Sequence, residues 1–296
     1  MQAILKNGIR IEYECFGSDN APTILLIMGL GVPLTRWNIE ICDGLVNRGY
    51  RVIRFDNRDC GYSTHLEDAP VPDMAAALRT GMLLDVPYTL DDMAEDCVLL
   101  LDALEIASAH IVGISMGGAI AQIMAAEYPE RTLSMTCIMS SSGNPSLPGP
   151  DPDAATALFA PLPKDRGRES IVADGVRRYR KVASPAYPMK DAHLVAMLEK
   201  EYERAFYPKG VVRQLAAIIA NGDRRALLRN IRVPALIIHG AADPLVKLEC
   251  GQDVFNHLPD AKMTVIDGMG HDLPEDLTDQ LVDEITSVCE RVKSDT

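Results

Sequence analysis

The sequence predicts an α/β fold in which a mostly parallel eight-stranded sheet is flanked by helices and interrupted by one helical insertion. Three observations carry that expectation. Short, wholly apolar runs recur along the chain, segments with apolar residues at helical spacing separate them, and one long stretch, about 142–230, keeps a helical pattern without any strand candidate. Apolar runs of four to eight residues suit strands buried on both faces of a parallel sheet, and strand–helix alternation supplies the right-handed crossovers that such a sheet needs.

Residues 3–5 and 9–13 flank Lys6-Asn7-Gly8, an Asn-Gly turn between alternating side chains, so the chain opens on an antiparallel hairpin. Six strand candidates follow at 23–28, 51–55, 110–114, 132–139, 235–239 and 263–266. Helical patterns lie between or after them at 36–48, 90–104, 116–128, 248–257 and 276–292. In the second of these Met93, Cys97, Leu100, Leu101 and Leu104 share a face, and Thr89 followed by Asp92 resembles a capping box. The core is therefore expected over 1–141 and 231–296. Residues 142–230, which open on a Pro-rich stretch (Pro145, Pro148, Pro150, Pro152, Pro161, Pro163), read as a helical cap over one face of the sheet. Phe159, Met189, Met197, Phe206, Tyr207 and Leu215 read as packing residues of that cap. A second flap is expected at 66–88, with Met74, Leu78, Met82 and Leu83 as its apolar residues.

Composition narrows the function classes. A chain of 296 residues with 47% hydrophobic and 24% charged residues is long enough to bury a large core and matches soluble globular proteins. Its formal charge of -13, with no Lys/Arg run to reverse the sign locally, argues against nucleic acid and anionic lipid as partners. The longest apolar stretch, 23–34, is broken by Gly29, Gly31 and Pro33 and is too short to span a bilayer, so no stable membrane association is expected. The seven cysteines are scattered singly, without zinc-ligand spacing, which suits a reducing cytoplasm and gives no reason to expect a metal. Residues 1–16 lack the basic flank and apolar block of a signal peptide.

The chemistry-bearing motif is Gly113-Ile114-Ser115-Met116-Gly117, a G-x-S-x-G string that puts a serine on a sharp strand-to-helix turn. Chance supplies such a string in about one chain in ten of this length. Context gives it weight: an apolar strand candidate ends at Ile114, and a small-residue helix begins just after the serine. Side chains at 113 and 117 would collide with so tight a backbone, so Gly113 and Gly117 read as supports of the turn. A serine hydroxyl needs a base, and the base needs a carboxylate to orient it, in the chain order serine, acid, histidine. Asp243 follows the strand candidate 235–239, and His271 closes a Gly268-Met269-Gly270-His271 loop after 263–266. Of the six histidines, His65, His110, His193, His239 and His257 compete with His271 for the base; His110 opens a strand at the far edge, His193 and His257 lie in helical segments, His239 precedes the acid, and the Gly-x-Gly-His loop at the expected place in the order makes His271 the choice. Asp267 and Asp272 adjoin the histidine loop too closely to reach its inner ring nitrogen, so Asp243 is the acid. The oxyanion formed on attack needs fixed N–H donors, expected from Met116 and from Leu30 in the loop Met28-Gly29-Leu30-Gly31, where Gly29 supports the turn.

With these strings in order, the chain resembles an α/β-hydrolase and is similar to the aclacinomycin methylesterase-like carboxylesterases. The loop Met28-Gly29-Leu30-Gly31, the stretch Phe55-Asp56-Asn57-Arg58-Asp59-x-Gly61-x-Ser63, the serine motif, Asp243-Pro244 and Gly270-His271 carry the likeness. It implies hydrolysis of short- to medium-chain carboxylic esters, a small-molecule ester substrate and no cofactor. Methylesterase action on a larger natural product, lactone opening, carbon–carbon hydrolysis, perhydrolysis and acyl transfer use the same triad and stay open, as does a non-catalytic receptor. Two departures stand out. Met28 replaces the histidine that most of the superfamily carries before Gly29, so support for the oxyanion loop has to come from elsewhere, and Asp59 stands where many relatives have glycine.

Overall fold

Every residue of β3 (Thr23–Ile27) is buried, and the two-residue period of a strand divides its side chains between two cores. Leu25 and Ile27 join Ile53, Phe55 and the inward faces of α2 (Leu90–Ala103) and α3 (Met116–Glu127), including Met93, Leu101, Ile120 and Met124. Ile24 and Leu26 face the other way, with Val52, Ile41 and Leu45 of α1 (Ile39–Asn47), and Leu281 and Ile285 of α10 (Thr278–Lys293). The computed structural model describes residues 1–74 and 85–293. Around β3, the strands β1 (Gln2–Ile4), β2 (Arg10–Phe16), β4 (Arg51–Phe55), β5 (Ala109–Ile114), β6 (Thr132–Ile138), β7 (Ala235–Gly240) and β8 (Ala261–Ile266) complete one eight-stranded sheet, in the order β1-β2-β4-β3-β5-β6-β7-β8. The first two pairings are antiparallel and the rest parallel.

Differences from the sequence reading have physical causes. β2 runs to Phe16 because its second half changes partner: Ile11 pairs with Ala3 of β1, whereas Tyr13 to Phe16 pair with Phe55 to Val52 of β4. β8 is an edge strand and is not buried on both faces; Lys262 and Val265 are exposed, as suits an edge that must not recruit another chain. The helix expected from 36 starts at Ile39, where the Asn38 side chain accepts the Ile41 N–H at 2.9 Å. Thr89 and Asp92 form the capping box of α2. Of the smaller flap, Leu78, Met82 and Leu83 lie outside the described residues.

Between β6 and β7 the chain forms α4 (Pro152–Phe159), α5 (Arg168–Arg180), α6 (Asp191–Ala205), α7 (Pro208–Asn221) and α8 (Arg225–Leu228), and α9 (Leu248–His257) follows β7. Proline opens α4 and α7, where its missing N–H would have no helical partner. Met189, Met197, Phe206, Tyr207 and Leu215 of this insertion are half-buried, and Phe159 is exposed. Its two connecting segments are laced together. The Arg224 N–H donates to the Ser142 carbonyl at 2.7 Å, and the Arg224 guanidinium reaches Ser141 O at 2.6 Å and Gln122 Oε1 at 3.1 Å. A side chain at Gly143 would stand 1.9 Å from the Gly222 carbonyl oxygen, so the two segments cross at backbone contact. Among the described residues no helix is long and apolar enough to cross a membrane.

Candidate active site

β5 ends on Ile114, and the next residue turns the chain directly into α3. Ser115 takes φ 54 and ψ -114, a backbone that L-residues avoid and that costs on the order of 1–3 kcal/mol. Packing holds it there: its N–H donates to Ile138 O at 2.9 Å, and its carbonyl accepts Ser140 Oγ–H at 2.7 Å. Glycine is required at three neighbouring positions. A Cβ at Gly113 would lie 2.0 Å from the Gly117 carbonyl oxygen, one at Gly117 2.2 Å from that of Ile27, and one at Gly118 2.6 Å from Ser140 Cβ. Gly117 thus brings the start of α3 against the end of β3, and Gly29 in the loop beyond β3 lies against Ser115, whose Cβ is 3.4 Å from where a Gly29 Cβ would stand.

Asp243 and His271 reach Ser115 from the loops after β7 and β8. His271 Nε2 is 3.1 Å from Ser115 Oγ, and His271 Nδ1 is 2.7 Å from Asp243 Oδ2. The other Asp243 oxygen accepts the N–H groups of Leu245 and Val246 at 2.8 and 2.9 Å, so a turn of its own chain sets the carboxylate's direction. His239, set aside in the sequence because it precedes the acid, supports that turn: its Nε2 is 2.8 Å from the Val246 carbonyl and 3.8 Å from Asp243 Oδ2. Burial lowers the pKa of His239, which favours a neutral ring whose Nε2–H donates to Val246.

The insertion holds the histidine loop from the other side. His271 N–H donates to the Val182 carbonyl at 2.7 Å, and Gly270 N–H to Ser184 Oγ at 2.8 Å. Asp272 does not reach the His271 ring by a hydrogen bond; it accepts from Tyr179 Oη at 2.8 Å and from Ser184 N–H at 2.9 Å. Burial raises its pKa despite those donors. Asp267 is likewise not a ring partner, its carbonyl accepting from Tyr187 Oη at 3.2 Å. Sequence reasoning missed Val182, Ser184 and Tyr179, which carry no motif.

Met116 is the first residue of α3, where a backbone N–H has no partner within the helix. Leu30 lies in the loop after β3, and its N–H has no hydrogen-bond partner among the described residues. The loop itself is held at both ends: Asn57 Nδ2 donates to the Met28 carbonyl at 3.0 Å, and Gly31 N–H donates to Gln214 Oε1 at 2.7 Å. Asp59 takes φ 63 and accepts from Arg213, Tyr88 Oη and Leu66 N–H. Among the described residues no group of three or more His, Cys, Asp or Glu side chains could hold a metal ion. A surface groove of about 710 Å³ lined by Gln2, Ile4, Arg10, Tyr62 and His65 lies at the β1 edge and includes neither Ser115, Asp243 nor His271.

Comparisons with known proteins agree with this architecture. A family model described as alpha/beta hydrolase fold matches residues 22–276. Rhodomycin D methylesterase DnrP of Streptomyces peucetius is 27% identical over 292 residues, covering 92% of each chain. 3-Oxoadipate enol-lactonase 2 of Acinetobacter baylyi is 26% identical over 259 residues, covering 88% of this chain and 85% of its own. In fold alone, the crystal structure of the enol-lactonase from Burkholderia xenovorans LB400 superposes with a TM-score of 0.74 at 23% identity, covering 98% of this chain and 100% of that one. The meta-cleavage product hydrolase CumD of Pseudomonas fluorescens IP01 superposes with a TM-score of 0.78 at 20% identity, covering 98% and 97%.

Proposed function

The chain belongs to the α/β-hydrolase fold family, and on that premise we propose that it is a serine carboxylesterase working through Ser115, His271 and Asp243. The observation that carries this reading is the unbroken hydrogen-bonded line from Ser115 Oγ through both ring nitrogens of His271 to Asp243. Ser115 Oγ attacks the ester carbonyl carbon while His271 Nε2 takes its proton. Asp243, accepting from Nδ1–H, fixes the tautomer whose Nε2 lone pair faces the serine and stabilises the imidazolium that forms. The negative oxygen of the tetrahedral intermediate is received by the N–H groups of Leu30 and Met116, each such donor lowering the barrier by roughly 3 kcal/mol. His271 then returns the proton to the departing alkoxide, leaving an acyl-enzyme. Water, deprotonated by the same ring, releases the acid and restores the serine. No step draws on a metal or an organic cofactor.

Residues 142–230 serve in this reading as a cap that limits substrate size, a role supported by the contacts of Val182 and Ser184 with the histidine loop. The methylesterase relative favours an open-chain ester, and the enol-lactonase relative favours a cyclic one as the second reading. The test is a panel of p-nitrophenyl esters and lactones with wild type and Ser115→Ala, alongside labelling by a fluorophosphonate. Wild type is labelled and turns over esters, while the variant is unlabelled and slower by about 10³-fold or more. A folded Ser115→Ala protein that keeps wild-type turnover overturns the assignment, and turnover confined to lactones selects the second reading.

A further inference from the structure

Gln214 of α7 is fully buried, and its amide joins backbone groups of two loops that precede it by more than 150 residues. Its Oε1 accepts the Gly31 N–H at 2.7 Å, and its Nε2 donates to the Arg58 carbonyl at 2.7 Å. Neighbouring residues of the same helix hold it in place. Arg213, with no side-chain exposure, meets both oxygens of equally buried Asp59 at 2.7 and 2.9 Å. Val211 fills the space beside Gly31, where an added Cβ would stand 2.7 Å from Val211 Cγ2.

The segment gripped in this way is the loop that carries Leu30. Glycines flank Leu30 on both sides, and Gly31 takes φ 64, so the local chain has little stiffness of its own. An N–H that is to receive an oxyanion must already point at it before reaction, since a misplacement of about 1 Å can cost ~100-fold in rate. Asn57 fixes the Met28 carbonyl at one end of the loop, and Gln214 fixes the Gly31 N–H at the other. The peptide between them presents the unpartnered Leu30 N–H. Among the described residues, these two amides are the side chains whose hydrogen bonds hold the backbone of residues 28–31.

We propose that Gln214 is a positioning residue for the oxyanion hole, so that the helical insertion, and not the core alone, completes the catalytic machinery. The inference rests on Leu30 serving as an oxyanion donor. It implies that Gln214 acts on the tetrahedral state and not on ground-state binding of the ester. The test compares wild type with Gln214→Leu, which removes both hydrogen bonds, and Gln214→Asn, which stays polar but is one methylene too short to span Gly31 and Arg58. Steady-state kinetics on p-nitrophenyl butyrate are combined with inhibition by an alkyl trifluoromethyl ketone, which forms an oxyanion adduct with the serine, and by the matching methyl ketone, which does not accumulate one.

Both variants are expected to lose about 10- to 100-fold in kcat and in trifluoromethyl ketone affinity, with KM and methyl ketone affinity within about threefold of wild type. Should Gln214→Leu fail to fold, Gln214→Asn alone decides. A folded variant with kcat within about threefold of wild type overturns the proposal. So does a rise in KM at unchanged kcat, or an equal loss of affinity for both ketones, because either means that Gln214 merely packs the insertion. Absence of fluorophosphonate labelling in wild type would overturn the serine carboxylesterase reading itself, whereas labelled, active wild type with unaltered Gln214 variants overturns only this inference.

Discussion

A methyl group on Gly117 would stand 2.2 Å from the Ile27 carbonyl oxygen and 2.8 Å from that of Met28. Both are backbone atoms at the end of a fully buried strand, so neither can move aside cheaply. Gly117→Ala should destabilise the protein by at least about 1–3 kcal/mol, the cost of overpacking, and should also lower esterase turnover by pushing α3 away from the loop that carries Leu30. Urea denaturation and a p-nitrophenyl ester assay check this, and unchanged values in both would contradict the close-approach argument. Legibility at this scale followed chemistry. Ser115, Asp243 and His271 were readable because each lies in a short string at or just after the end of a strand candidate and the proposed chemistry demands their residue types in that order. The roles of Gln214, Asn57 and Val182 were not, Asn57 being visible only as part of a string, because each makes its bond with a backbone group. A side chain bonded to a backbone N–H leaves no residue-type mark on its partner, and Gly31 lies 183 positions from Gln214. His239 was set aside as the base, and its support of the Asp243 turn was not legible, since its partner, the Val246 carbonyl, is equally silent in sequence.

Helix α7 meets the core through a buried ion pair, and the energetics of that element turn on Asp59 and Arg213. Neither side chain is exposed, so removing one partner strands the other. Arg213→Met should cost about 3–5 kcal/mol, far more than the loss of a surface pair. The pH dependence has a definite sign. Burial alone would raise the pKa of Asp59, but the Arg213 guanidinium, the Leu66 N–H and the Tyr88 hydroxyl together outweigh it and leave the pKa lowered. A lowered folded-state value gives stability that is present above the ordinary carboxylate value of about 3.9 and is lost as pH falls through the lower, folded one. In Arg213→Met the burial is no longer offset by the guanidinium and the Asp59 pKa rises, so the stability difference from wild type, from urea melts, should be largest near pH 8 and shrink as pH falls through the variant's raised value. A difference that stays constant from about pH 8 down to pH 4 would show that Arg213 does not hold Asp59 ionised. Among the elements, α9 was legible to the residue, and the second half of β2 was not. From Glu12 onward every β2 residue is half-buried, so no two-residue alternation marks the strand, and its pairing with β4 is a backbone property.

At the scale of the molecule, the contacts between insertion and core decide how the protein unfolds. The insertion is tied at its neck by Arg224 to Ser141, Ser142 and Gln122. Away from the neck it is tied by Arg36 to Glu201 through two bonds of 2.7 Å, by Arg204 to Asp56 at 2.8 Å, and by Tyr179 and Ser184 to Asp272. If the helices lifted away each of these bonds would be exchanged for bonds to water, a net loss of about 0.5–1.5 kcal/mol for a neutral pair and about 1.5–3 kcal/mol where a charged group takes part. Lifting the insertion alone would also expose Asp59 and release the supports of the His271 loop, so partial opening forfeits much of what full unfolding forfeits. The expected outcome is one cooperative transition. Trp37, the single tryptophan and fully buried in the core that includes Ile41 and Leu45, reports on the sheet, while far-UV circular dichroism weights the helices, half of which among the described residues belong to the insertion. In urea the two signals should give the same midpoint and slope. A helical signal that melts ahead of Trp37 fluorescence would mean that the insertion is an independent unit, and would leave the bracing of the Leu30 loop dependent on an equilibrium that the core does not control.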